Sequence, residues 1–308
     1  ILDLIMRTRT FRHEPVSNKP DLDVHAKISR QAATEGMVLL KNEHDALPLA
    51  AGKKLALFGN STHDIIIGGT GSGDVHEAYS VTLPQGLEHA GYATDKALSQ
   101  AYAQHIKAAK SRRPETNPFL APPPLPEWVP TAEQIDAAAT ANDVALVTIG
   151  RNSGEFIDRK AKDDFYLTEA EQTLIRNVST AFHKAGKPVV VVLNIGGVIE
   201  LASWRDQVDA ILLAWQPGQE AGHAMADVLS GKVNPSGKLT DTFALDLKDY
   251  PAAENFPGVT LLGPDPAASG GIVINDRAAE VDYRDDIRVG YRHINTRGLD
   301  VAYPFGYG

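Results

Sequence analysis

The 308-residue chain contains no cysteine, which excludes disulfides and thiolate metal sites. That absence suits a reducing compartment and exported bacterial proteins alike, so it leaves the compartment open. No run of 18 apolar residues is present, the length a membrane-spanning helix needs. Lysine and arginine are outnumbered, 30 against 39 acidic residues for a formal net charge of −9. Without a basic cluster there is no positive face for nucleic acid or an anionic membrane. The catalytic motifs of several classes are missing as well. None of the ten histidines lies in H-E-x-x-H, and "GKVNPSGKL" has the wrong glycine spacing for a P-loop and ends on Leu239 where Ser or Thr must hold magnesium. Ser72 is not in a G-x-S-x-G elbow, because Thr70 stands two residues before it. Metal, nucleotide and serine-hydrolase chemistry are all disfavoured, and no cofactor is expected. A signal peptide is absent too; the chain opens on "ILDLIMRTRTF" without methionine and closes on "YPFGYG", so it reads as a piece of a longer protein.

What is present is an ordinary globular composition, 43% hydrophobic and 22% charged, with enough length for one large or two modest domains. Four short apolar runs read as buried strands: "KLALFGN" from Lys54, "DVALVTIG" from Asp143, "PVVVVLNIG" from Pro188 and "AILLAWQPG" from Ala210. They are continuous rather than alternating, which means both faces are covered, as in a parallel sheet. Helical patterns separate them. "TEAEQTLIRNVSTAFHKAG" opens on a capping box, Thr168 with Glu171, aligns Leu174, Ile175, Val178 and Phe182 on one stripe, and stops at Gly186. "TAEQIDAAATAN" repeats the device with Thr131 and Gln134, and "QEAGHAMADVLSG" closes at Gly231. The alternation predicts an α/β fold, a three-layer α/β/α sandwich on a mostly parallel sheet.

Two stretches are irregular. Residues 111–130 carry seven prolines in twenty positions and must form an extended surface loop. Trp128 within it reads as an anchor that pins the loop, with a sugar-stacking platform as the alternative. From about Asp249 to Arg277 the text is rich in Pro and Gly, and "IRVGYRHINTRGLDVAYPFG" after it looks like a strand and turn.

Ligands of an open parallel sheet sit beyond the carboxyl ends of its strands, which singles out "GNST", "GRNSGE", "NIGG" and "WQPGQE". Glu155 lies in the second, six residues past Ile149. It is either a chemical group at that edge or a solvated loop glutamate, or a partner for Arg159. Glu220, in the first turn of a helix, reads as a complement to the helix dipole. Gly68–Gly73 has four glycines in six positions, which lets backbone amides approach a ligand. As a dinucleotide fingerprint it is incomplete, since Asp74 occupies the third glycine's place and no helix opens there.

Six ordered blocks resemble the C-terminal half of glycoside hydrolase family 3 β-glucosidases: "RQAATEGMVLLKNEHDALPL", "GGTGSGD", "SGEFIDRK", "VVVLNIGGVIELASW", "ILLAWQPGQEAGHAMADVLSGKVNPSGKLTDTF" and "VGYRHINTRGLDVAYPFGYG". The resemblance implies an active site shared with a (β/α)8 barrel domain that carries an aspartate nucleophile in an S-D-W-type motif, which this chain lacks. It implies that residues 1–23 are the end of that barrel and a linker, that 24–248 form the sandwich domain with the acid/base loop, and that 249–308 are an irregular extension with a closing strand. Glu155 matches the family's general acid/base, and Asp158 and Arg159 match a D-R pair that shapes the loop. Ser72 matches a serine that hydrogen-bonds the sugar in the cleavage subsite. Phe156 stands where relatives have Gly. The substrate implied is a β-glucoside or oligosaccharide, with β-xylosides as a variant, and the fragment alone is expected to be inactive. The alternative from residues alone is a non-catalytic or nucleotide-binding α/β domain that uses the Gly68–Gly73 loop.

Overall fold

The structure, a computed structural model, describes residues 1–114, 122–152, 158–256, 258–261 and 279–308. Its centre is a six-stranded sheet built from β1 (Val38–Asn42), β2 (Lys54–Phe58), β3 (Ala93–Thr94), β4 (Val144–Arg151), β5 (Val189–Ile195) and β6 (Ala210–Leu213). Their spatial order is β1-β6-β5-β4-β2-β3. All neighbours are parallel except β1, which pairs antiparallel with β6. The four strands expected from the apolar runs are there, and two edge strands join them.

Alternation explains why those runs read as continuous. Ala56 and Phe58 of β2, Ala145, Val147 and Ile149 of β4, and Val189, Val191, Leu193 and Ile195 of β5 face one core. Leu55 and Leu57, Val144 and Leu146, and Val190 and Val192 face the other. Successive side chains point to opposite faces, and each face is covered by helices. Helices α1 (Leu2–Arg7) and α2 (Leu22–Gly36) lead into the sheet, followed by α3 (Asn60–His63), α4 (Leu83–His89), α5 (Lys96–Ser111), α6 (Ala132–Ala141), α7 (Glu169–Lys184), α8 (Ala221–Leu229) and α9 (Tyr291–Arg297). Side chains of α5, α6 and α7 enter the first core and those of α4 and α8 the second. The three-layer α/β/α arrangement follows.

Local sequence signals match the elements they predicted. Both capping boxes form, Thr131 with Gln134 and Thr168 with Glu171. Leu174, Ile175, Val178 and Phe182 on α7 are fully buried, each stabilising the fold by about 1.5–3 kcal/mol. The other layer is packed by absence of side chain. A Cβ on Gly86 of α4 would lie 1.9 Å from the carbonyl oxygen of Gly222 on α8, so the two helix backbones touch.

The C-terminal stretch differs from expectation. The segment read as a strand and turn is a short helix, α9, stopped by Gly298 in the left-handed region at φ 62°, and only then a strand. Counting on from β7 (Phe243–Ala244), with the two-residue strands β8 (Val259–Thr260) and β9 (Ala279–Glu280) paired to each other, that strand is β10 (Val301–Tyr303). It pairs antiparallel with β7, and Phe243, Ala302 and Tyr303 enter the first core. Among the described residues no helix is long and apolar enough to cross a membrane.

Candidate functional site

The parallel strands β2, β4, β5 and β6 end at one edge, and their order reverses between β2 and β4. From β2 the chain leaves through α4 on one face, and from β4 through α7 on the other. Such a switch point opens a crevice beyond the carboxyl ends, the usual ligand position in this architecture.

The loops around that crevice are tied together by polar groups. Asn194, at the end of β5 and fully buried, accepts from the backbone N–H of Ile66 at 2.8 Å and donates to the carbonyls of Ile66 and Trp215, both at 2.8 Å. Gly218 N–H adds a bond to the Ile67 carbonyl at 2.8 Å. One amide side chain thus draws the glycine-rich segment across the ends of β5 and β6. Trp215 is held at φ 55°, a conformation that costs a bulky residue about 1–3 kcal/mol. Gly150 is needed for close approach, since a Cβ there would sit 1.8 Å from Ser61 Oγ.

Two arginines bracket the segment that leaves β4. Arg151 donates to both oxygens of Glu171 at 2.5 and 2.7 Å and to the Asp164 carbonyl at 2.8 Å. Arg159 donates to Asp164 Oδ1 at 2.9 and 2.5 Å and to the Val198 carbonyl at 2.5 Å. Asp164 Oδ2 also accepts from the Lys160 backbone at 3.0 Å. The partner of Arg159 is Asp164, five residues on, whose Oδ1 accepts from both Nε and Nη2. Asp158 is exposed beside it. Glu155, with residues 153–157, lies outside the described residues. Ser72 is exposed in a single 3₁₀ turn, Gly71–Gly73, and the next helix, α4, starts only at Leu83. No helix therefore opens directly from the glycine loop, as a dinucleotide fingerprint requires.

Two acids at this edge were not legible as a site. Glu127, from the proline-rich loop, accepts the Asn60 N–H with both oxygens at 3.1 Å and the Trp128 N–H at 3.0 Å. Withdrawal from water pushes its carboxyl up to about 8, with the Glu171 charge adding to the rise against the pull of the backbone N–H groups. Glu220 is the N-cap residue of α8 and makes no side-chain cap bond. It accepts from Tyr79 Oη at 2.5 Å and faces His223 Nδ1 at 2.6 Å. Burial works against the Glu220 anion, yet these two bonds and the Arg30 charge hold it below the ordinary range. Trp128 is an anchor: its ring meets Tyr102 edge-on at 4.7 Å and stacks on His105 at 6.1 Å.

Residues 37–308 match the family described as "Glycosyl hydrolase family 3 C-terminal domain". The chain is 39% identical to "Beta-glucosidase A" of Butyrivibrio fibrisolvens, over 92% of this chain and 34% of that protein. It is 30% identical to an "Exo-alpha-(1->6)-L-arabinopyranosidase" of Bifidobacterium breve, over 100% of this chain and 36% of that protein. Among solved structures, "beta-glucosidase 3B from Thermotoga neapolitana in complex with glucose" superposes with a TM-score of 0.87 at 44% identity, covering 100% of this chain and 41% of that one. The chain spans about a third of the length of the curated relatives it matches.

Proposed function

The chain belongs to glycoside hydrolase family 3 as its C-terminal domain, and from that premise we propose that it supplies the general acid/base of a retaining exo-β-glycosidase of β-glucosidase type. The substrate is a glucoside or oligosaccharide with a terminal β-D-glucose, and the nucleophilic aspartate comes from a separate (β/α)8 barrel domain. Relatives named β-glucosidases, of which this chain spans about a third, support the reading. The relative named for an arabinopyranoside suits a division of labour in which the sugar is chosen mainly by contacts outside this chain.

The observation that carries the proposal is the anchoring of Arg151 and Arg159 to Asp164 at the carboxyl edge of the sheet. Glu155 is three residues from Asn152 and three from Asp158, a reach of at most about 10 Å along an extended chain. Retaining hydrolysis needs two carboxyl groups about 5–5.5 Å apart, one attacking the anomeric carbon and one protonating the departing oxygen. Glu155 acts as the acid in the first step and as the base that activates water in the second. The two groups must differ in proton affinity. Closure of a second domain over the Glu155 side supplies the difference, because desolvation favours the neutral, proton-donating carboxyl. Ser72, on the exposed glycine turn, donates to a hydroxyl of the bound sugar, while Arg159, with Asp158 beside it, shapes the loop.

Glu155→Ala, made in the protein that carries both domains, tests this. The expected result is a loss of about 10²–10⁴-fold in kcat/KM for substrates with poor leaving groups, a smaller loss for nitrophenyl glucosides, and recovery of turnover with azide. An equal loss for every leaving group without azide rescue would overturn it. The 308-residue chain alone is expected to turn over no aryl β-glucoside.

A further inference from the structure

The glycine-rich loop is held at both of its ends by one support, the turn after β6 at residues 215–222. At the near end the Gly218 N–H donates to the Ile67 carbonyl at 2.8 Å. At the far end Val81 gives its N–H to the Gln219 carbonyl at 2.9 Å, and its own carbonyl accepts the Gly222 N–H at 2.8 Å. Ends fixed close together make this an Ω-loop, and residues 72–80 are exposed between them. Gly68, Gly69, Gly71 and Gly73 lie in its first half, and glycine loses more freedom on ordering than any other residue. Tyr79 reaches back from the exposed stretch into the fold, where its hydroxyl donates to Oε1 of the buried Glu220 at 2.5 Å. Glu220 is itself oriented. Its Oε2 faces His223 Nδ1 at 2.6 Å, and His223 Nε2 faces Nδ1 of His89 on α4 at 2.8 Å.

We propose that Glu220 is a positioning residue for sugar binding: by holding Tyr79 it fixes the exposed turn Gly71–Gly73, so that Ser72 meets the sugar with its hydroxyl already placed. The inference rests on the reading of Ser72 as a donor to the sugar. A glutamate that served the helix would turn its oxygens to the first N–H groups of α8, whereas both oxygens of Glu220 are taken by side chains. Magnitudes show what the contact does. Releasing Tyr79 extends the untethered stretch from residues 68–78 to 68–80, which changes the loop-closure weight by only about 1.3-fold. A hydrogen bond to a charged group is worth about tenfold or more, so the order of the loop depends on the bond and not on the length of the tether. The bond also pushes the Tyr79 hydroxyl above its ordinary range, which keeps it a donor. A loop that is ordered only part of the time binds its ligand more weakly in proportion to that fraction.

The test uses the protein that carries both domains, with glucose as a competitive inhibitor of nitrophenyl β-glucoside turnover. Tyr79→Phe keeps the ring and removes only the hydroxyl. It is expected to raise the inhibition constant of glucose and the KM about tenfold while kcat changes less than about twofold, and to speed hydrogen exchange at residues 71–74. Glu220→Gln, which keeps an acceptor without the charge, should raise both constants about threefold. On a Ser72→Ala background, Tyr79→Phe should add less than about twofold, because residues that act as one unit are not additive. An unchanged inhibition constant in Tyr79→Phe overturns the proposal, and a lower unfolding midpoint beside it would assign the bond to stability alone. A tenfold effect that persists without the Ser72 hydroxyl overturns it as well. If Ser72→Ala by itself binds glucose as the wild type does, the reading of Ser72 is what fails, and the proposal falls with it.

Discussion

The two ends of the sheet treat their acids in opposite ways. At the amino end, carboxylates are held as anions. Asp143 accepts the Lys54 N–H at 2.8 Å and is thereby kept below its ordinary range. Burial opposes the Asp209 anion, but the Val189 N–H with His183 and His44 more than offsets it. At the carboxyl end Glu127 is pushed up to about 8 by withdrawal from water, and Asp241 is raised by the same cause. Each end closes gaps between strands with polar groups. The amino end does so at an electrostatic gain, while the carboxyl end keeps part of its acidity unfavourable, which is characteristic of sites where chemistry or binding is performed. Glu220 shows that the difference is local: at the same carboxyl edge, a tyrosine, a histidine and the Arg30 charge hold an acid low.

Three substitutions sharpen the contrast. Asn194→Ala should have the largest effect, because it strips three bonds from Ile66 and Trp215 and leaves buried backbone groups unpaired. A loss of about 2–4 kcal/mol in urea unfolding is expected, together with faster hydrogen exchange across residues 64–68; unchanged exchange there would mean the loop is held by other contacts. Asp209→Asn should remove about 1–3 kcal/mol at neutral pH. Since the Asp209 carboxyl is lowered on folding, its contribution exists above the unfolded value and fades as pH falls through the folded one. The gap between variant and wild type should close towards pH about 3, and a gap that persists there would assign the loss to packing. Glu127→Gln should act in the opposite sense and shows only in the pH dependence. A raised carboxyl weakens the fold as pH climbs from its ordinary value to about 8. The variant should therefore gain on the wild type over that interval, by up to about 1.4 kcal/mol per pH unit, and a flat difference from pH 5 to 9 would remove the raised state.

The legible parts of the molecule were those whose cause is local. The strands at Lys54, Asp143, Pro188 and Ala210 announced themselves because both faces are buried, and the helices after Thr131 and Thr168 because a capping box spans four residues. The edge strand Val38–Asn42 did not, since it ends on Lys41 and Asn42 and is defined by pairing with β6, some 170 residues away. The helix Tyr291–Arg297 was hidden by its polar, β-branched surroundings, although the Gly298 stop was readable. Of the proposed site, Glu155 was singled out by its place in a motif after a strand. The contact of Arg159 with Asp164 was not legible, because it depends on how the chain turns between them.

Sequence alone therefore decided the class of fold, the four central strands, the helices between them and the family, because apolar periodicity, caps and ordered motifs are short-range properties. Tertiary structure alone decided which acids are pushed up and which are held down, and that Asn194 binds three loop carbonyl and amide groups at one edge. Those outcomes depend on distances between residues tens of positions apart, and on how much water is left between them once the chain has closed.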